Sequence, residues 1–103
     1  NGHDAIANED PELLPGAKEK FTAWEMAGHR IILITGRRES VRELTEATLV
    51  DYGIPFDTLL MGHADSGRIL INDVGKHGNC KAHAVSLERD LGMNEEDWSK
   101  VGL

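Results

Sequence analysis

The apolar positions of this chain follow two rhythms. Two runs are apolar without a break, Ile31-Ile32-Leu33-Ile34 and Ile69-Leu70-Ile71. Short unbroken runs of this kind read as strands buried on both faces, here spanning Arg30 to Thr35 and Arg68 to Asn72. A third short run, Asp57-Thr58-Leu59-Leu60-Met61, stops at Gly62 and reads as another strand. Between the strands the spacing becomes helical. Over Ala17 to Ala27, Phe21 and Trp24 share one face, Pro15 can open the helix, and Gly28 is a natural stop. Further on, Ser40-Val41-Arg42-Glu43 has the form of a capping box. Val41, Leu44, Ala47 and Thr48 then share a face, Gly53 ends the helix, and Pro55 prevents its resumption.

The remaining segments carry weaker patterns. Asn1 to Leu14 is polar and acidic, with an Asn-Glu-Asp-Pro turn signal, and reads as a loop. His63-Ala64-Asp65-Ser66-Gly67 is a polar turn, and Val74 to Asn79 a glycine-rich loop. Lys81 to Leu91 reads as a helix, with a short strand around Ala84-Val85 as the alternative. Asn94-Glu95-Glu96-Asp97 looks like the start of a short helix. Strands alternating with helices predict an α/β fold, a parallel sheet covered on both faces. The 103 residues suit one domain, with residues 1–14 as a loop and 15–103 as the core.

Composition narrows the functional classes. A formal net charge of −7 argues against general affinity for nucleic acid or an anionic membrane surface. There is no apolar run long enough to cross a bilayer and no basic-then-apolar leader. The single cysteine, Cys80, excludes an internal disulfide framework and fits a reducing compartment. A cytoplasmic location is the default expectation.

Candidate chemistry gathers at strand ends. The first strand stops at Thr35, Gly36, Arg37 and Arg38, just before a helix. A hydroxyl, backbone N–H groups and cations at such a place suit a phosphate. The strand Arg68 to Asn72 runs into Asp73, whose hard carboxylate oxygen suits Mg²⁺. Ligands of parallel sheets sit beyond the carboxyl ends of strands, where both Thr35 and Asp73 fall. Plainer roles exist for each: Thr35 as a helix cap, Asp73 as a turn residue, and the arginines as solvated surface groups. His77, Cys80 and His83 have ligand-like spacing, but a zinc site needs about four ligands and no fourth is evident. In that segment a buried cysteine with exposed histidines is the ordinary expectation.

The ordered series Ile-Leu-Ile-Thr-Gly-Arg-Arg-Glu, Tyr-Gly-Ile-Pro-Phe-Asp, Leu-Leu-Met-Gly and Arg-Ile-Leu-Ile-Asn-Asp, spread over Pro15 to Val74, resembles the haloacid dehalogenase-like superfamily of phosphohydrolases. The resemblance implies a three-layer, Rossmann-like α/β/α fold. It also implies a Mg²⁺-dependent phosphatase acting on a small phosphorylated metabolite through an aspartyl-phosphate. By this likeness Thr35 and Gly36 hold the phosphoryl group with Arg37, and Asp73 holds the metal. The family's nucleophile lies in an apolar strand ending Asp-x-Asp-Gly-Thr. Neither Asp4 nor Asp10 stands in such a setting, so the central strand and its nucleophile are absent from this chain. The usual lysine after the third strand is also replaced, by Gly62-His63. Lys76, His63 or the arginines are the substitutes; Lys76 ranks ahead of His63 because it stays cationic near neutral pH. The short distance between motifs argues against a large cap inserted after the second strand, so a small cap or none is expected. Two other readings compete: a non-catalytic or partial α/β module completed by a partner chain, and, disfavoured by charge, a nucleic-acid end-processing phosphatase.

Overall fold

A computed structural model describes residues 15–63, 66–88, 92–94 and 96–103. The expected loop over Asn1 to Leu14 lies outside the described residues, as do Asp4, Asp10, Ala64, Asp65, residues 89–91 and Glu95. In chain order come α1 (Ala17–Met26), β1 (Ile32–Ile34), α2 (Arg42–Asp51) and β2 (Thr58–Leu60), with 3-10 turns at Glu39–Val41 and Trp98–Val101.

Both helices end in the same way. After α1, Gly28 N–H donates to Glu25 and His29 N–H to Trp24; after α2, Gly53 N–H donates to Val50 and Ile54 N–H to Leu49. This double bond pattern turns the chain back through a left-handed residue. Glycine occupies that residue each time, with φ 95° at Gly28 and 71° at Gly53. The helix starts differ from expectation. Pro15 stays outside α1, which begins after a left-handed Gly16, and the Pro15 carbonyl instead accepts from Met93 N–H at 2.8 Å. The capping box at Ser40 does not form; a 3-10 turn leads into α2 and no side chain caps it. Arg42 takes over the anchoring, bonding Glu39 at 2.7 Å, Glu46 at 3.1 Å and the Leu59 carbonyl at 2.9 Å. The last bond ties α2 to β2.

The buried face of α2 is also rotated from the expected one. Thr45 is buried and Leu49 and Tyr52 pack on the core, whereas Leu44 is exposed. Thr45 tolerates burial because its hydroxyl donates to the Val41 carbonyl at 2.8 Å.

β1 and β2 pair in parallel, in the register Ile32 to Thr58, Leu33 to Leu59 and Ile34 to Leu60. Asp57 starts the ladder: its carboxylate accepts from Ile31 N–H at 2.7 Å, and its own N–H donates to the Ile31 carbonyl. With α2 as the crossover, β1, α2 and β2 form one β-α-β unit. The core lies on one side of it. Ala17, Ile54 and Met93 are buried there against Phe21, Trp24, Leu33 and Trp98. Trp98 anchors the tail, its indole N–H donating to the Met93 carbonyl at 2.8 Å and its ring meeting Trp24 edge-on at 5.0 Å.

The class is therefore α/β, with two helices and a two-stranded parallel sheet among the described residues. Arg68 to Asn72 is not a strand, and residues 81–88 form neither the expected helix nor the alternative strand at Ala84-Val85. The reason for the first is physical. A strand exists only beside another strand, and among the described residues the sheet consists of β1 and β2 alone. Ile69, Leu70 and Ile71 consequently stand 91%, 73% and 90% exposed. No helix among the described residues is long and apolar enough to cross a membrane.

Candidate functional site

The carboxyl ends of β1 and β2 are laced together. Thr35 N–H donates to the Leu60 carbonyl at 2.9 Å, and His63 N–H donates back to the Thr35 carbonyl at 3.0 Å. Gly62 N–H donates to the Arg37 carbonyl. Gly62 adopts φ 78°, a conformation that costs glycine little, and this lets the strand end turn toward Arg37. The result is a pair of opposed turns, Thr35–Arg37 and Met61–His63. Sequence reasoning singled out Thr35, Gly36, Arg37 and His63 separately, and these bonds bring them together.

Inside the first turn the Thr35 hydroxyl oxygen accepts from Arg37 N–H at 3.2 Å. A hydroxyl that accepts one hydrogen bond still has its own proton to donate. Gly36 beside it is exposed, as is His63, while Thr35 is half-buried. Arg37 is not a solvated surface group, because its Nε and one terminal nitrogen are enclosed. Arg38, by contrast, is exposed.

Asp73 and Lys76 stand on a different segment, which is held by local ties. Asp73 pairs with Lys81 at 3.4 Å, Gly75 N–H donates to the Asn79 carbonyl, and Gly78 N–H to the Gly75 carbonyl. Gly75 is buried so closely against Asn79 that a Cβ there would collide with the Asn79 side chain. Lys76 lies exposed at the tip of this loop. A magnesium site takes one or two carboxylates together with water and substrate phosphate. Asp73 has the right donor chemistry, but among the described residues no group of three or more His, Cys, Asp or Glu could hold a metal. These residues thus supply one ligand of such a site and not a complete one. Cys80 is exposed rather than buried, its thiol donating to the Ala82 carbonyl at 3.0 Å.

Next to the paired turns lies an open groove of about 800 Å³. Ile34, Ile69 and Leu70 supply apolar walls, and His63, Arg68 and His83 supply basic groups. Two groove residues, Arg68 and His83, were not expected at this place, and Arg42, outside the groove, was not expected to anchor α2. Arg68 and His83 enter through the tertiary path of the chain, which no local spacing reveals. Arg42 had a legible signal: Glu39, Arg42 and Glu46 stand at the three- and four-residue spacings of helical ion pairs. Its hydrogen bond to Arg42 holds the Glu39 carboxyl below the usual glutamate range. The bonds to Glu39 and then Glu46 push the Arg42 guanidinium upward.

No protein-family model, curated protein or solved structure matches the chain.

Proposed function

We propose that this chain is the phosphate-binding part of a haloacid dehalogenase-like, Mg²⁺-dependent phosphatase acting on a small phosphorylated metabolite. The observation that carries the reading is the Thr35 turn. Its hydroxyl has an N–H of its own turn as donor, so its proton is available to an outside acceptor, and His63 is bonded to the same residue. Thr35 and the Gly36 backbone hold phosphoryl oxygens, and Arg37 contributes fixed positive charge. Lys76 or His63 completes the charge balance, and the backbone bond from His63 N–H to the Thr35 carbonyl supports His63. Asp73 is the metal ligand, and Mg²⁺ when bound offsets phosphate charge. The nucleophile that forms the aspartyl-phosphate belongs to a strand outside these residues, and that strand completes a three-layer, Rossmann-like sheet.

The second reading, a partial or non-catalytic α/β module completed by another segment, is favoured by the exposed Ile69–Ile71 run. Hydrolysis of generic phosphomonoesters with Mg²⁺ separates the two. It is measured on the natural polypeptide with whatever residues adjoin these 103. Phosphate release that falls at least about a hundredfold in Asp73→Asn supports the phosphatase. No release, or release untouched by that substitution, refutes it.

A further inference from the structure

A turn that binds an anion must hold its donors within about 0.5 Å of their working positions. The entry to the Thr35–Arg37 turn is fixed by the register of β1 and β2, through the bond from Thr35 N–H to the Leu60 carbonyl. Its exit runs through exposed Arg38 into the 3-10 turn at Glu39. Arg42 secures that exit. Its Nε and one terminal nitrogen grip the two carboxylate oxygens of Glu39 at 2.7 and 2.9 Å. The same terminal nitrogen reaches the Leu59 carbonyl at 2.9 Å, on a residue buried in the core. The bonds close a ring. It runs along the chain from Thr35 to Glu39, across the fork to Arg42, on to Leu59 and Leu60, and back to Thr35 N–H. Inside the ring Gly62 N–H braces the Arg37 carbonyl. Exposed ion pairs contribute little by attraction, but a two-toothed grip on a carboxylate fixes position.

We propose that Arg42 is a positioning residue for phosphate binding: through Glu39 and the Leu59 carbonyl it fixes the exit of the Thr35–Arg37 turn, so that the Thr35 hydroxyl and the Gly36 backbone serve one phosphoryl group together. The inference rests on the phosphate reading of that turn. Arg42 does not act by attracting the anion. Its single positive charge faces two carboxylates, Glu39 at 2.7 Å and Glu46 at 3.1 Å, so the cluster is negative as a whole. Charge and position therefore predict opposite outcomes when Glu39 is neutralised. Lysine cannot replace Arg42, because an ammonium lacks the planar fork that holds a carboxylate and a carbonyl at once.

The test titrates inorganic phosphate, at fixed ionic strength, into the isotope-labelled natural polypeptide with whatever residues adjoin these 103. Backbone amides are followed by NMR. Glu39→Gln removes a negative charge and breaks the fork, since a carboxamide accepts at only one of its two end atoms. Charge alone would tighten phosphate binding. Position predicts the reverse, an affinity at the Thr35 and Gly36 amides lower by at least about threefold. Arg42→Lys keeps the charge, loses the fork and shows the same loss. Glu46→Gln removes a charge of the same sign but leaves the ring whole, so its affinity is equal to the parent's or higher. Gly53→Ala strains the chain beyond the far end of α2; it lowers the urea midpoint and leaves phosphate affinity unchanged, which separates position from stability. Without phosphate, exchange of the Thr35 and Gly62 amides speeds by at least about threefold in Glu39→Gln and Arg42→Lys, relative to the Ala27 amide at the end of α1. It is unchanged in Glu46→Gln. Equal or tighter phosphate binding in Glu39→Gln, full rescue by Arg42→Lys, an equal loss in Gly53→Ala, or unaltered exchange at Thr35 and Gly62 overturns the proposal. A parent polypeptide that shows no phosphate shifts refutes the phosphate reading instead, and the exchange rates still decide whether Arg42 holds the turn.

Discussion

Trp98→Phe and Trp98→Ala together test how the C-terminal turn is held to the core. Phenylalanine keeps an aromatic ring against Trp24 and removes only the indole N–H. The Met93 carbonyl, on a residue 5% exposed, then loses its 2.8 Å donor. Leaving a buried acceptor unpaired costs about 1–3 kcal/mol, and the half-buried position of Trp98 puts the value near 1 kcal/mol. Alanine also removes the edge-on pair with Trp24, a further 0.5–1.5 kcal/mol or so, and the apolar contacts of the ring. The sum is about 3 kcal/mol, the lower end of the range for truncating a large aromatic. That is a large share of a small domain's stability, so the alanine variant sits near half-unfolded at modest urea. The chain has two tryptophans, so in both variants Trp24 alone reports unfolding by fluorescence. Midpoints that rank wild type above Phe above Ala, with unchanged slopes, are expected. If both variants unfold within about 0.5 kcal/mol of the parent, the tail does not depend on this contact and the reasoning is refuted.

Gly53→Ala is expected to destabilise by about 1 kcal/mol, because φ is 71° there and a Cβ would press on the Lys18 side chain; urea unfolding checks it. Arg42→Met is expected to return the Glu39 carboxyl upward to the ordinary range, read by carbon-detected NMR titration. The sign follows from linkage. A carboxyl depressed in the folded state contributes stability above its unfolded pKa and loses it as pH falls through the folded value. The small acid sensitivity from Glu39 therefore disappears in Arg42→Met. Ser99→Ala should likewise raise the Asp97 carboxyl, which the Ser99 hydroxyl and N–H hold down.

Much of the β-α-β unit was readable from local pattern because each of its signals is local. The apolar run at Ile31–Ile34 gave β1, and Gly28 and Gly53 mark helix ends because only their backbone suits the reversal. Three features were not readable, each for a different reason. The capping box does not form because Ser40 lies inside the 3-10 turn Glu39–Val41, which leaves Val41, without a hydroxyl, at the N-cap of α2. Leu44 faces out because the hydroxyl of Thr45 satisfies itself within the helix and can be buried instead. Arg68 to Asn72 has a strand's composition, but strand formation depends on a neighbour that local composition does not supply. At the site, Thr35 and His63 were each visible as residues just past an apolar run. Their bond was not, since it depends on the parallel register of β1 and β2.

The Thr35 turn is tested most directly by titrating inorganic phosphate into the isotope-labelled chain and following backbone amides. The account predicts saturable shifts centred on Thr35, Gly36 and His63 that vanish in Thr35→Val, a change that keeps the shape and removes the hydroxyl. Shifts spread evenly over lysines and arginines, or an unchanged response in Thr35→Val, would contradict it.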